Sequence, residues 1–255
     1  MKCLILAAGY ATRLYPLTEN FPKPLLTVGG KPIIDRLLDD LSMIQGVDEV
    51  LVVTNHKFAP QFESWLRSKA GIPPGKIAIL DDRTCTNETR LGAVRDMGLA
   101  LDVLGTRDDL LVMAGDNVLD FSLSGFVAFA REKQAPCVMC YKEPDEKRRQ
   151  KTAIISVDRD KRVTSYEEKP ACPKGELAVP PFYYYRAADA ARIPEALASG
   201  CDGDAPGSFA AWLSRKTPMY AYLMPGKRYD IGDQNSYDRA QRIFGEIEVR
   251  EREGT

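Results

Sequence analysis

The stretch from Leu4 to Ile34, LILAAGYATRLYPLTENFPKPLLTVGGKPII, constrains this chain more than any other. An apolar run from Cys3 to Ala8 has the length and character of a buried strand. Gly9 ends that run and begins a turn-rich segment holding Thr12, Arg13, Lys23 and Lys31, with prolines at 16, 22, 24 and 32. Apolar periodicity resumes at Ile33, Ile34, Leu37, Leu38 and Leu41 and predicts an amphipathic helix. A strand therefore feeds a loop of small residues and fixed cations, and a helix closes it.

Such a loop suits a polyphosphate. Ala7, Ala8, Gly9 and Ala11 are small enough for backbone N–H groups to approach phosphate oxygens. Arg13 offers a planar fork for two oxygens, and Lys23 a mobile point charge. The prolines stiffen the loop, so a ligand orders it at a smaller entropic cost.

Downstream, strand-like and helix-like stretches alternate. Glu49 to Thr54, Lys76 to Leu80 and Asp109 to Met113 read as strands, and Phe58 to Lys69 and Arg90 to Leu104 as helices. The alternation predicts a Rossmann-like α/β fold with a mixed, mostly parallel sheet flanked by helices. Ligands bind such sheets at the carboxyl ends of the strands, where the first loop and Gly115-Asp116-Asn117 fall. From Ala135 the chain turns β-rich, with strands expected over Ala135 to Tyr141, Thr152 to Val157, Arg162 to Glu167, Val179 to Arg186 and Met219 to Met224. Asp158 to Lys161 reads as a hairpin connection, and helices are expected over Ala187 to Ser199, Phe209 to Lys216 and after Asp233 to about Phe244. The expected organisation is one domain, 1–255, with a nucleotide-binding half (1–134), a smaller β-rich acceptor-binding half (135–245) and a frayed tail (246–255).

Charge narrows the partners. The chain's 35 Lys and Arg nearly balance its 36 Asp and Glu, so no basic excess is available for nucleic acid. No apolar run approaches a membrane span, and the expected location is the cytoplasm. Six scattered cysteines read as reduced thiols, and the lone Cys137-x-x-Cys140 lies in a strand-like run with no second pair for zinc. His56, the single histidine, reads as a polar loop residue, and Trp65 and Trp212 as core.

Asp116 and Asp230 each follow an apolar strand. Either could cap a turn, or serve Mg²⁺, which takes one or two carboxylates plus phosphate oxygens. Asp233 reads as a helix cap. In the segment 84–92, the Asn87 amide could make paired hydrogen bonds to a base edge, and Gly92 could let a flat ring lie against backbone. Glu88 or Thr89 could equally cap the following helix.

A-A-G-x-x-T-R-L-x-P-L-T, followed by P-K-P-L-L-x-V-x-G-K-P-I-I, resembles the signature of the sugar-1-phosphate nucleotidylyltransferases, in particular their glucose-1-phosphate thymidylyltransferase-like branch. The resemblance implies a GT-A-like nucleotidyltransferase fold and an enzyme. It implies that Leu6, Ala7, Ala8, Gly9, Thr12 and Asp116 contact the nucleotide, that Arg13 and Lys23 are catalytic, and that Asp116 and Asp230 hold Mg²⁺. Glu167-Glu168-Lys169-Pro170 matches the family's E-E-K-P, which gives Glu168 and Lys169 the acceptor, with Asn117 and Ala153 beside them. The chain departs from the pattern at Ala11, where many relatives carry glycine, and at Thr152-Ala153 and Val179-Pro180-Pro181, where relatives border the sugar with glycine. The implied reaction transfers a nucleoside monophosphate from dTTP, UTP or CTP to a sugar 1-phosphate. A cytidylyltransferase for a phosphocholine-like or phosphonate acceptor and a non-catalytic nucleotide-sugar sensor remain open. The partners expected are a nucleoside triphosphate and a small phosphorylated acceptor, with a homo-oligomer left open.

Overall fold

The computed structural model describes residues 1–69, 75–105 and 107–253, with side chains described through 246. In chain order the strands are β1 (Lys2–Leu6), β2 (Thr27–Val28), β3 (Lys31–Pro32), β4 (Glu49–Thr54), β5 (Ile77–Asp81), β6 (Leu110–Ala114) and β7 (Asn117–Leu119). They continue with β8 (Cys137–Lys142), β9 (Ala153–Val157), β10 (Val163–Glu167), β11 (Leu177–Val179), β12 (Phe182–Tyr185), β13 (Tyr220–Leu223) and β14 (Arg228–Asp230). The helices are α1 (Ile33–Ser42), α2 (Ala59–Arg67), α3 (Ala93–Leu104), α4 (Ser124–Lys133), α5 (Glu146–Arg149), α6 (Ala187–Ala190), α7 (Ile193–Ala198), α8 (Pro206–Leu213) and α9 (Gln234–Glu253).

A 10-stranded sheet runs β10-β9-β11-β8-β12-β6-β1-β4-β5, with β13 also paired to β8. The first half is parallel throughout, β1 pairing with β4 and β6, and β4 with β5. The second half adds mostly antiparallel strands, which makes the sheet mixed. After β1 the chain builds outward through β4 and β5, then returns to the other side of β1 as β6. That reversal opens a crevice at the carboxyl ends of β1 and β6, where Gly115 N–H donates to Leu6 O at 2.9 Å.

Each face of the sheet buries its own core. Leu4, Met97, Val112, Tyr185 and Phe209 meet on one face, and Ile5, Ile34, Phe62, Met113 and Tyr184 on the other. Adjacent strand residues point to opposite faces, which is why Leu4 and Ile5 divide between the two. A third, smaller core holds Leu14, Val28, Ile33, Val118, Ile231 and Phe244. It joins the opening loop to the β7–β14 ribbon and α9. Fully burying such side chains contributes about 1.5–3 kcal/mol each.

Three sequence expectations are corrected. The strand read over 179–186 is two strands, because Pro180-Pro181 cannot donate to a ladder; β11 pairs with β8 and β9, and β12 with β6 and β8. The helix read over 187–199 is α6 and α7, with Pro194 in the first turn of the second. The last helix runs on to Glu253 rather than ending near Phe244. Gly254 and Thr255, the end of the stretch read as a frayed tail, lie outside the described residues. The 158–161 hairpin stands, with Asp158 Oδ1 accepting from the N–H groups of Asp160 and Arg162, each at 2.9 Å. Among the described residues no helix is long and apolar enough to cross a membrane.

Candidate active site

The small third core brings the polar site together. Leu14 anchors Arg13, Val118 anchors the segment after Asp116, and Ile231 anchors Asp230. β7 and β14 pair antiparallel with Asp230 opposite Asn117, which sets Asp116 and Asp230 side by side at the end of β6. Lys23 comes from a short turn at 23–25 and donates from Nζ to Asp116 Oδ2 at 2.5 Å and to Ile231 O at 2.9 Å. Arg13 also reaches this point. A methyl group built on Gly232 would lie 3.6 Å from its Nη2, and its charge acts on Asp230.

The electrostatics follow from crowding. Burial raises the Asp116 carboxyl, but Lys23 and then Arg228 outweigh it and hold it below the usual carboxylate range. Asp230 is raised, first by its enclosed position and then by the charge of Asp116, although half of its side chain, 51%, meets solvent. The charge of Asp116 thus raises Asp230, while Lys23, Arg228 and Arg13 offset the pair. That donor set fits Mg²⁺, which needs few protein carboxylates when phosphate oxygens complete its shell. Among the described residues no group of three or more His, Cys, Asp or Glu could hold a metal.

The opening loop is accessible at Gly9 and Thr12. Leu6 and Ala7 stay in the sheet's hydrogen-bond ladder, and Ala8 O accepts from Asn55 Nδ2 at 3.0 Å. Gly9 has open space where a side chain would be, and Thr12 is exposed at the start of the 12–14 turn. Ala11 adopts the left-handed conformation, φ 48° and ψ 40°, with its carbonyl held by Thr18 Oγ1 at 2.8 Å. That conformation costs a non-glycine residue about 1 kcal/mol or more. Glycine relieves it but loses part of the gain to a freer unfolded chain. Ala11→Gly is therefore expected to stabilise by up to about 1 kcal/mol, read as a higher urea midpoint at constant slope; a lower midpoint contradicts the strain.

In the 84–92 segment neither Glu88 nor Thr89 caps the following helix. Thr89 pairs with Thr86, and α3 starts after Gly92 with no side-chain cap. Gly92 has φ 94°, and a Cβ there would come 2.5 Å from Gly203 O. The glycine is thus demanded by the close approach of the 203–204 backbone, which accepts from the N–H groups of Ala93 and Val94. Asn87 is half-buried, and its carbonyl accepts from Arg90.

A cavity of about 290 Å³ adjoins the site, lined by Glu168, Lys169, Ala153, Thr152, Lys151, Tyr183, Pro181 and the 204–207 turn. It collects Glu168, Lys169 and Ala153, three of the four residues read as acceptor contacts. Of the tyrosine triplet, Tyr183 faces this wall, while Tyr184 and Tyr185 pack in the two cores. Burial, then the neighbouring charges of Lys169 and Asp202, leave the Glu168 carboxyl raised. Its Oε2 has no hydrogen-bond partner among the described residues and sits 2.1 Å from where a Gly207 Cβ would be.

Asn117 is corrected. It is fully buried, donating from Nδ2 to Asp116 Oδ1 at 2.7 Å and accepting at Oδ1 from Arg228 at 2.5 Å. Each end of its amide is engaged, so in this structure it braces Asp116 and Arg228. Arg228 was not read as a site residue. Its signal lay in register, since residues two apart on a strand share a face and Arg228 precedes Asp230 by two. Asp233 Oδ1 accepts from Ser236 N at 2.8 Å and so caps α9. His56 is exposed and pairs with Asp81. Cys137 and Cys140 are free and buried in β8, and burial pushes their thiols up.

A strand-loop-helix opening, two cations and two carboxylates thus meet at the switch point of an α/β sheet. The nucleotidyl transferase family profile matches residues 2–246, and the chain belongs to that family. It is 27% identical over 253 residues to mannose-1-phosphate guanylyltransferase 1 of Arabidopsis thaliana, covering 96% of this chain and 64% of the relative. To the glucose-1-phosphate thymidylyltransferase of Mycolicibacterium smegmatis it is 30% identical over 196 residues, covering 72% of this chain and 61% of the relative. The chain thus spans somewhat less than two thirds of these curated relatives. A solved UDP-glucose pyrophosphorylase complexed with UDP-glucose superposes with a TM-score of 0.79 at 22% identity, covering 96% of this chain and 98% of that one.

Proposed function

We propose that this chain transfers a nucleoside monophosphate from a nucleoside triphosphate to a sugar 1-phosphate, releasing pyrophosphate. One observation carries the reading: Arg13, Lys23, Asp116 and Asp230 converge beside a separate cavity that presents Glu168 and Lys169. Donor phosphates and a polar acceptor would lie next to each other. The relatives named above as guanylyl- and thymidylyltransferases share the arrangement's family.

The acceptor is already a nucleophile. Its phosphate monoester has a second pKa of about 6 and is ionised at neutral pH, so no general base is required. The difficulty is bringing two polyanions together. Lys23 and Arg13 offset the charge that builds on the α-phosphate and on the departing pyrophosphate. The cradle from Leu6 to Thr12 orients the triphosphate for in-line attack, with Asn87 and Gly92 at the base end. Lys169 meets the acceptor's phosphate, and the Glu168 carboxyl takes its hydroxyls beside Ala153. Asp116 and Asp230 would hold Mg²⁺, which would supply positive charge against the repulsion between the phosphates. A nucleoside triphosphate donor fits a cytoplasmic reaction.

Pyrophosphate release tests the proposal. Five triphosphates (ATP, GTP, CTP, UTP, dTTP) are crossed with hexose 1-phosphates, phosphocholine and aminophosphonates. Turnover with a hexose 1-phosphate is expected. Turnover only with phosphocholine or a phosphonate replaces the acceptor class, and no turnover alongside tight nucleotide-sugar binding makes the chain a sensor.

Gly207→Ala probes the acceptor side. The new methyl group would displace Glu168, so the acceptor KM is expected to rise about tenfold with the triphosphate KM unchanged. Equal changes in both KM values would remove Glu168 from the acceptor site.

A further inference from the structure

We propose that Arg228 grips the phosphate of the acceptor, acting as a third cation of the reaction centre. The inference rests on the transfer reaction proposed above and adds a binding group to it.

Arg228 opens β14, on the same strand face as Asp230. Its side chain is only 14% exposed. Nη1 donates to Asn117 Oδ1 at 2.5 Å and lies 3.5 Å from Asp230 Oδ2. The guanidinium stands over the Tyr141 ring, 5.6 Å from its centroid. Its positive charge acts on Asp116 and Asp230 on one side and on Tyr183 on the other.

Those neighbours locate it between the two halves of the site. Tyr183 lines the acceptor cavity. Tyr141 pairs across the sheet with Ala178, the residue before Val179 of the cavity wall. The carboxylate pair lies on the opposite flank. An attacking phosphate must sit in this gap to reach an α-phosphorus held above Asp116. Lys23 is already committed to Asp116 and Ile231 O, and Arg13 stands over Gly232.

The guanidinium is also prepared for an oxyanion. The Tyr141 ring lies under its Cζ, and Asn117 holds it through Nη1. Among the described residues no hydrogen-bond partner stands at Nε or Nη2, so the fork keeps N–H groups to give. A cation needed only to offset Asp116 and Asp230 would not require a fork, and lysine would serve as well.

The test compares Arg228→Ala and Arg228→Lys with the wild-type chain, using the triphosphate and acceptor that support its turnover. Arg228→Ala is expected to raise the acceptor KM about tenfold or more, with triphosphate Kd, measured by calorimetry without acceptor, within about twofold. Added guanidinium ion should restore part of its turnover, and Arg228→Lys should fall between the two. An unchanged acceptor KM overturns the proposal. So does a parallel loss of triphosphate affinity and acceptor KM, which would mark Arg228 as a brace for Asp116 and Asp230. If Arg228→Ala does not fold, Arg228→Lys decides by the same two measurements, since it keeps the charge and removes the fork. Failure of the wild-type chain to release pyrophosphate defeats the reaction itself. Wild-type turnover that is indifferent to Arg228 defeats only this role.

Discussion

Lys23→Ala is expected to lower kcat by about a hundredfold or more, the scale of other lost donors to transition-state charge. The side chain is 12% exposed and already aimed, with its ammonium between Asp116 Oδ2 and Ile231 O. In this resting arrangement it supplies positive charge to the half-buried Asp116 carboxylate. When a triphosphate enters, phosphate oxygens compete for the same ammonium. The lysine is thereby held within reach of the α-phosphate with little freedom left to lose. Because it meets charge that grows during transfer, the loss should fall on kcat more than on the triphosphate KM. Lys23→Arg should restore little, because a planar fork does not fit a niche shaped for a point charge. Steady-state pyrophosphate release with calorimetric triphosphate binding checks this. Near-normal kcat with binding intact would remove Lys23 from the reaction.

Most of the frame was legible because the signals were local. β1, β4, β5 and β6 are short apolar runs bounded by Gly, Asp or turn residues, and one strong period settles such elements. The opening loop was legible for the same reason. What escaped depended on contacts between distant segments. Gly92 was read from its small size alone, whereas its φ and its crowding against Gly203 come from a loop more than a hundred residues on. Asn117 looked available until β14 supplied Arg228 to its carbonyl oxygen. Pro180-Pro181 is the opposite case. That signal stood in the sequence, and the alternating tyrosines beyond it drew the strand across it.

Asp96 was similarly obscured, and it carries the second large effect. It lies in the first turn of α3, one residue before Met97 and four before Ala100, both fully buried. The carboxyl is 5% exposed, and Oδ1 meets no hydrogen-bond partner among the described residues. Burial, then the nearby charge of Asp82, pushes it up to about 7. Asp82 is itself buried and raised, with Oδ1 taken by the N–H and hydroxyl of Thr84. The direction of the linkage follows. The folded chain keeps a proton on Asp96 that the unfolded chain releases above its usual value of 3.8. Stability from this group is therefore fully present below that value, declines as pH rises, and is exhausted once pH passes about 7. The full swing is on the order of 4 kcal/mol. Asp96→Asn keeps the shape, cannot ionise, and places an amide donor beside Asp82. At pH 8 it is expected to raise unfolding free energy by about 4 kcal/mol, and at pH 5 by about 1.5 kcal/mol. Urea unfolding at the two pH values reads the difference directly. An equal change at both would mean that Asp96 is ionised in the fold throughout, paired by something other than a proton.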